Sequence, residues 1–400
     1  MKILVINAGS SSVKYQLTDM NDERVLASGI VERIGLDGPT LKHQAEGKDK
    51  LVQGLDIRDH SGAVKAIVDT LLSKEHGGLR SMDEIGAVGH RIAHGGDRFV
   101  GSALIDESVM QAIRDNIELA PLHNPANISG IEACRNVMPG TPMVAVFDTA
   151  YHQTLPPKAY LYGLSQEISE AYKIRRYGFH GTSHQYIAMQ AAQAIGKDIS
   201  VLNLITCHLG NGSSIAAIRH GRCMDTSMGF TPLEGLVMGT RCGDIDPSIL
   251  QFLMQKRNMA MNDVMRYLNS ECGVLGISGK SSDFRDLRRY ADDGDERCRM
   301  AIDVFCYRVK KYIGAYTAAI GGVDAIVFSG GIGENDAQVR ASILEGLEYL
   351  GVMIDPKRND VHGVEARISA PESRVSVLVI RTNEELMIAK DTLRLVQRVS

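Results

Sequence analysis

No stretch of this 400-residue chain is apolar for long enough to cross a bilayer, which takes about 18 residues. Basic residues are not in excess either: 44 Lys and Arg face 48 Asp and Glu, a formal charge of -4. A nucleic-acid or membrane-surface partner would require a basic patch or stripe, so the balance argues against both, and any anion must be held by local constellations. The cysteines, at positions 134, 207, 223, 242, 272, 298 and 306, include no Cys-x-x-Cys pair, and no leader precedes the first apolar run. These absences predict a cytoplasmic protein with reduced thiols and no structural zinc. What remains, 44% hydrophobic and 23% charged, is an ordinary soluble globular composition, and the length exceeds what one core serves. Two domains of roughly 150 to 200 residues are expected.

The opening stretch, MKILVINAGSSSVKYQL, organises the rest. Ile3 to Ile6 is an unbroken apolar run, Asn7 to Ser12 is small and polar, and Val13, Tyr15 and Leu17 alternate with Lys14 and Gln16. That pattern predicts strand, tight loop, strand. A loop of Gly9 with Ser10, Ser11 and Ser12 lets backbone amides and hydroxyls approach a phosphate, although it also reads as a serine-rich turn. The pattern recurs: Leu202 to Cys207 is apolar, Leu209 to Ser214 is rich in Gly, Asn and Ser, and Ile215 to Ile218 is apolar again. Gly9 and Ser12 align with Gly210 and Ser213 at one common offset. Two such units half a chain apart suggest a duplicated fold offering two phosphate loops to one cleft.

Between them strands and helices alternate, the signature of an α/β architecture. A third strand is expected over 25–31, a polar surface excursion over 37–59, helices over 63–72 and 107–117, and a strand over 143–147 ending at Asp148. Asn124 followed by Pro125 predicts an N-cap and a helix to about residue 137. Domain boundaries are placed at 1–150 and 151–382, with a last helix within 383–400 packing back on the first domain. In the second domain helices are expected over 183–195, after Asp246-Pro247, over 261–270 and over 295–321. A strand over 325–328 leads into SGGIGEN, whose glycines form a turn before a helix from about Ala337, where a ring or phosphate can rest on bare backbone.

Two familiar phosphate signatures fail. Gly273 to Ser281 has five residues between its glycines where the Walker loop has four, and the run from Gly331 places Asp336 at the third dinucleotide-binding glycine. The four-residue spacings His90/His94 and His180/His184 would suit a metal on a helix, but glycines follow or interrupt both pairs, leaving single loop histidines, His180 and His208, as hydrogen-bond donors. Arg91 and Arg241 each lie in glycine-flanked loops after apolar runs, and Asp148 and Glu384 are read at strand ends. Each arginine alone reads as a solvated turn residue. Together with two phosphate loops they form the set that phosphoryl transfer needs: cations for charged donor and acceptor, carboxylates for magnesium.

In order along the chain, NAGSSSVKY, HRxxHGG, PLHNP, VFDTAYHQT, RRYGFHGTSH, HLGNGSS, DTSMGFTPLEGLVMGTRCGDIDP, GISGKSSDFRD, FSGGIGEN and RTNEE resemble the acetate kinase family. These are short-chain carboxylate kinases of the acetate and sugar kinase, chaperone and actin superfamily. The resemblance implies an α/β fold of two duplicated ribonuclease-H-like (actin-like ATPase) domains around a central nucleotide cleft, in a homodimer. It implies Asn7 and Glu384 around Mg2+, for which Mn2+ can substitute, and Ser10, Ser12 and Lys14 near the phosphates of ATP or ADP. His208, Leu209, Gly210, Asn211 and Gly212 become the second phosphate loop. Asp283, Phe284 and Arg285, with Gly331, Ile332, Gly333, Glu334 and Asn335, would hold adenosine. Arg91 and Arg241 would hold the acid and the transferring phosphoryl, His180 would stabilise the transition state, and Asp148 matches the family's active-site acid. Ala93, Leu122, Phe179 and Pro232 would line the acid pocket. Acetate kinases often carry valine where this chain has Ala93, so propionate becomes an alternative to acetate.

The implied reaction is reversible transfer of the ATP γ-phosphoryl to acetate, giving acetyl phosphate and ADP, by direct in-line displacement. A carboxylate acceptor is already ionised near neutral pH, so Asp148 has no proton to remove and is read as a magnesium-shell or positioning group. A sugar kinase would need a base for a neutral hydroxyl, which an apolar pocket and two loop arginines fit poorly. A non-enzymatic actin-like or chaperone-type ATPase is the alternative of another class; chaperones add a peptide-binding domain for which the chain has no room.

Overall fold

The computed structural model describes residues 1–398, and the chain divides into two compact units: Met1–Gln153 together with the segment from Asn383 onward, and Thr154–Thr382. Among the described residues the first unit holds an eight-stranded sheet. Its strands are β1 (Lys2–Ala8), β2 (Ser12–Asp19), β3 (Arg24–Glu32), β4 (Thr40–Ala45), β5 (Leu51–Gly54), β6 (Ile85–Ile92), β7 (Ala103–Leu104) and β8 (Met143–Phe147). They run in the order 5-4-3-2-1-6-8-7, with β1, β6 and β8 parallel, and the meander β1 to β5 and the edge strand β7 antiparallel.

The apolar run Ile3–Ile6 is unbroken because β1 is covered on both faces. Leu4 and Ile6 pack with Val88 and Ala145 beneath the helices His60–Leu71 and Asn124–Val137. Ile3 and Val5 join Ala87, Val144 and Val146 under Ile388 and Ala389 of the helix Glu384–Val396.

The second unit holds six strands among the described residues: β9 (Asn203–Leu209), β10 (Ser213–Arg219), β11 (Arg222–Thr226), β12 (Ala325–Ser329), β13 (Ala366–Arg367) and β14 (Ser376–Val379), in the order 11-10-9-12-14-13. Substituting unit for unit, this is the arrangement 3-2-1-6-8-7 of the first sheet. In each, a hairpin leads into three parallel strands closed by a short antiparallel edge strand. The fold is therefore duplicated, and the recurrence of Gly9 and Ser12 at Gly210 and Ser213 marks equivalent hairpins. The helix Glu296–Ile320, capped by Asp295 on the Cys298 amide and ended by Gly321 at φ 78°, buries Cys298, Ile302, Phe305, Val309 and Ile313 in the second core.

Three local expectations are corrected. The segment 37–59 is not an excursion: Leu41, His43 and Ala45 point inward from β4, which with β5 widens the sheet. Asn124 is inside its helix rather than capping it; its amide donates to the carbonyls of His94, Ile113 and Asn116, tying three segments together. The glycines of SGGIGEN form not a turn but a short helix, Gly330–Asn335, starting where β12 stops, and the helix expected from Ala337 follows it as Ala337–Leu344. Gly330 at φ 77° makes that abrupt change of direction possible, and its amide is satisfied by Glu334 Oε1 at 2.9 Å.

Candidate active site

Alternation along a strand assigns the polar residues of the first unit. On β1, β6 and β8 the residues facing the helix Glu384–Val396 are Ile3 and Val5, Ala87, and Val144 and Val146. Gly89 lies beneath it too, since a Cβ there would meet Ile388 and Thr392. Two residues further along each strand direction, the same face presents Asn7, Arg91 and Asp148. The register Ile6↔His90 and Arg91↔Val146 sets their order across the sheet. Glu384 is the first residue of the covering helix, whose N-cap Asn383 accepts from the Leu386 amide at 3.0 Å. Four residues distant in sequence are thereby gathered at the carboxyl ends of three parallel strands, where ligands of open α/β sheets bind.

Arg91 is held in a two-point pair with Asp148, Nε to Oδ1 at 3.0 Å and Nη2 to Oδ2 at 2.6 Å, and its Nε is 3.8 Å from Glu384 Oε2. The Asp148 carboxylate raises the guanidinium pKa further, so this arginine stays charged. Burial pushes the Glu384 carboxyl up, with Arg91 opposing and Asp148 adding to the rise. Two carboxylates sharing one guanidinium leave negative charge in excess, and Asn7 contributes a neutral amide oxygen. This hard oxygen donor set suits a magnesium ion better than a second cationic side chain. Lys14, opposite Asn7 on β2, is paired with Glu385. The loop after β1 is closed by Gly9 N to Ser12 O at 2.8 Å, with Ser10 exposed.

In the second unit, the equivalent loop after β9 is closed by Gly210 N to Ser213 Oγ at 3.2 Å. A Cβ on Gly212 would lie 3.4 Å from Arg241 Nη1 and 3.5 Å from His180 Cε1, so a guanidinium and an imidazole stand against one bare stretch of backbone. His180 is the N-cap of the helix Gly181–Ile195 and adopts φ 56°, a left-handed conformation uncommon for a side chain of this size. Its Nδ1 is 2.9 Å from Ser214 Oγ, which also lies 2.7 Å from His184 Nε2. His208 Nδ1 bonds Ser183 Oγ at 2.7 Å, and Leu209 is buried, offering backbone only.

Arg241 differs from Arg91. Its Nη1 reaches the Pro232 carbonyl at 3.3 Å and Met238 Sδ at 3.8 Å, and among the described residues no carboxylate pairs with it. Burial lowers its pKa, the signature of a cation without a counter-ion.

A pocket of about 610 Å3 in the second unit is lined by Gly210, Asn211, Asp283, Phe284, Arg285, Gly331, Ile332 and Asn335, joining three distant stretches of sequence. Two other residues of the SGGIGEN stretch point elsewhere. The Glu334 carboxylate accepts from Gly330 N, Ser329 Oγ and Thr382 N, and the Gly333 carbonyl accepts from Arg340. Phe284 packs edge-on against Phe305, and Arg285 pairs with Asp283 at the helix start.

Of the acid-pocket residues, Ala93 and Leu122 belong to the first unit and Phe179 and Pro232 to the second. Ala93 is half-buried, Leu122 is 76% exposed, and Phe179 packs on Met228 and Met238. Sequence reasoning passed over Asn127, whose Oδ1 takes the Ala93 amide at 3.0 Å while its Nδ2 donates to the Ala8 carbonyl at 2.8 Å, fixing two strand ends together. The segment PLHNP lies just before it, but nothing in the spacing picks out an asparagine inside a helix.

Comparison with known proteins adds to this geometry. The Acetokinase family model matches residues 2–390. The acetate kinase of Acetivibrio thermocellus is 57% identical over 399 residues, with both chains covered in full. The crystal structure of Porphyromonas gingivalis acetate kinase superposes with a TM-score of 0.96 at 45% identity, covering 99% of each chain. That of a propionate kinase from Francisella tularensis gives 0.91 at 41%, covering 98% of this chain and 99% of its own. With a family model that runs nearly end to end and a full-length relative more than half identical, the chain belongs to the acetokinase family.

Proposed function

We infer that this chain catalyses reversible transfer of the γ-phosphoryl of ATP to acetate, forming acetyl phosphate and ADP. The observation that carries the reading is Arg241, a partly buried guanidinium without a carboxylate partner among the described residues, standing with His180 against Gly212 of the phosphate loop. A phosphoryl group in transfer spreads negative charge over three equatorial oxygens, and a cation lacking a counter-ion stabilises that charge most. Adenosine and phosphates are assigned to the 610 Å3 pocket and the Leu209–Ser213 loop. Arg91, immobilised by Asp148, binds the carboxylate of the acid. The fixed pair supports a positioning role for Asp148, in keeping with an acceptor that carries no proton. Asn7 and Glu384 would hold magnesium, which neutralises phosphate charge when bound.

Trapping the acyl phosphate as its hydroxamate, with acetate, propionate and butyrate in turn, tests the assignment. Acetate is expected to give the highest kcat/KM. Propionate should follow within roughly 10- to 200-fold, because the space left at Ala93 corresponds to a methylene or two in an apolar pocket. A clear preference for propionate would overturn the choice of acid. ATP hydrolysis with no hydroxamate from any acid would point instead to an actin-like ATPase.

The chain is further proposed to act as a homodimer in the cytoplasm. No described helix is long and apolar enough to cross a membrane, and the seven cysteines are free thiols. The helix Ser248–Arg257 carries Ile249, Leu250, Phe252, Leu253 and Met254, yet buries none of its residues, and Phe252 is 58% exposed. A second copy of the chain is the occupant proposed for this face. Phe252→Asp should convert a dimer to a monomer in sedimentation analysis; an unchanged dimer would place the interface elsewhere.

A further inference from the structure

Arg241 and His180 flank one glycine, yet they lie 61 positions apart on irregular backbone, which by itself fixes neither. The loop carrying Arg241 is closed on itself: Gly235 N donates to Asp244 Oδ1 at 2.8 Å, and Asp244 N donates to the Gly235 carbonyl at 3.0 Å. Tyr312 holds the other carboxylate oxygen of Asp244 at 2.7 Å. Gly239 N reaches the Asn211 carbonyl of the phosphate loop at 3.0 Å, and a Cβ on Gly239 would overlap the Asn211 side chain.

One ion pair joins this loop to the segment that leads into His180. Arg176 Nη2 donates to Glu234 Oε1 at 2.6 Å, while its Nη1 donates to the carbonyls of Thr226 and Ser227 at 2.9 and 3.2 Å. The Tyr162 hydroxyl donates to the second Glu234 oxygen and accepts from the Phe230 amide at 2.8 Å. Tyr177 N and Gly178 N, the next links toward His180, both donate to the Gly229 carbonyl. Gly229 must be glycine, since a Cβ there would lie 1.5 Å from Glu234 Oε2. Glu234 in turn lies in sequence between Pro232 and Met238, which both touch the Arg241 guanidinium. Burial, and then the bond to Glu234, raise the Tyr162 hydroxyl, so it serves Glu234 as a donor throughout the working pH range.

The geometry points to Glu234, clamped by Arg176 and Tyr162, as a positioning residue that sets the distance between Arg241 and His180 around the transferring phosphoryl group. The inference rests on the phosphoryl-holding roles given above to those two residues. Most of the nucleotide pocket is built from other segments, at 282–285 and 331–336, and only Gly210 and Asn211 of its lining belong to the loop that Gly239 touches, so the clamp is expected to act chiefly on turnover.

Glu234→Gln, Tyr162→Phe and their double variant test this in the full-length chain. Expected are a drop of roughly 10- to 100-fold in kcat for Glu234→Gln, a smaller drop for Tyr162→Phe, and a double variant no slower than Glu234→Gln alone. ADP affinity and binding stoichiometry should stay within about twofold of the parent chain. A merely structural role would lower thermal stability and the fraction of binding-competent protein while leaving kcat per bound nucleotide unchanged, and that result overturns the clamp. If Glu234→Gln does not fold, Tyr162→Phe decides alone by the same split. Arg241→Ala measured alongside separates the two readings. Near-normal turnover there removes the phosphoryl-holding role, whereas loss there with full turnover in Glu234→Gln and Tyr162→Phe removes the clamp only.

Discussion

Arg241→Ala is expected to cut kcat by roughly 10³- to 10⁵-fold, about 4 to 7 kcal/mol of transition-state stabilisation, with nucleotide KM little changed. The size of the effect follows from the absence of a competing anion. Arg91 spends much of its charge on Asp148, so part of its field is cancelled before substrate arrives. Among the described residues Arg241 bonds a carbonyl and a thioether and no carboxylate, and its field is directed at whatever stands beside Gly212. Because the alanine variant also removes an unpaired buried charge, the protein should be no less stable to heat. Single-turnover phosphoryl transfer measured at saturating ATP and acetate is the decisive experiment. Retention of near-normal turnover would sink the assigned role.

The second large effect concerns folding. Arg340 is fully buried at 0% exposure, and its guanidinium is met by oxygens that carry no charge: Asn359 Oδ1 at 2.9 Å, Gly333 O at 2.8 Å, Asn359 O at 2.7 Å and Val361 O at 2.8 Å. Burial lowers its pKa to about 10, so it remains a cation at neutral pH. Arg340→Met keeps the bulk of the side chain but strands these acceptors in the interior, each costing about 1 to 3 kcal/mol. The losses overlap, and about 3 to 5 kcal/mol in total is expected. For a unit of this size that corresponds to a fall in Tm of about 6 to 20 °C. Since the Gly333 carbonyl belongs to the helix that bears Gly331 and Asn335, nucleotide KM should rise in the surviving protein. A loss below about 1 kcal/mol in denaturant unfolding would show that the carbonyls find other donors.

Much of this was legible in the sequence where periodicity speaks. The twin hairpins were visible because an apolar run, a Gly/Ser loop and an alternating run recur at one offset. Arg91 and Asp148 were grouped by their chemistry, but Arg91, read as a loop residue after an apolar run, lies within β6 itself, because the strand continues through His90 and Arg91 to Ile92. Legibility failed where the signal was short or lay in distant pairing. In β4 only Leu41, His43 and Ala45 mark the inward face, and a histidine in an apolar slot, held by Tyr15 Oη at 2.5 Å, hides the alternation. Asn124 looked like a cap because Pro125 follows it, although its amide had three carbonyls of other segments to serve. Glu234 is 58 positions from Arg176, and no local rule relates them. Leu122, placed in the acid pocket by resemblance, is largely exposed.

The first unit is assembled from two separate lengths of chain, the second from one. During synthesis the contiguous second unit has its whole sequence available before the helix Glu384–Val396 leaves the ribosome. Until then the face of β1, β6 and β8 bearing Ile3, Val5, Ala87, Val144 and Val146 lacks its cover. An unfinished apolar face of this kind recruits chaperones or aggregates. The residue that begins the missing helix is Glu384, so the same late docking event that seals this core also delivers the carboxylate assigned to magnesium. A truncated or stalled product would therefore carry a complete second unit beside a first unit lacking both the cover of its sheet and the Glu384 carboxylate.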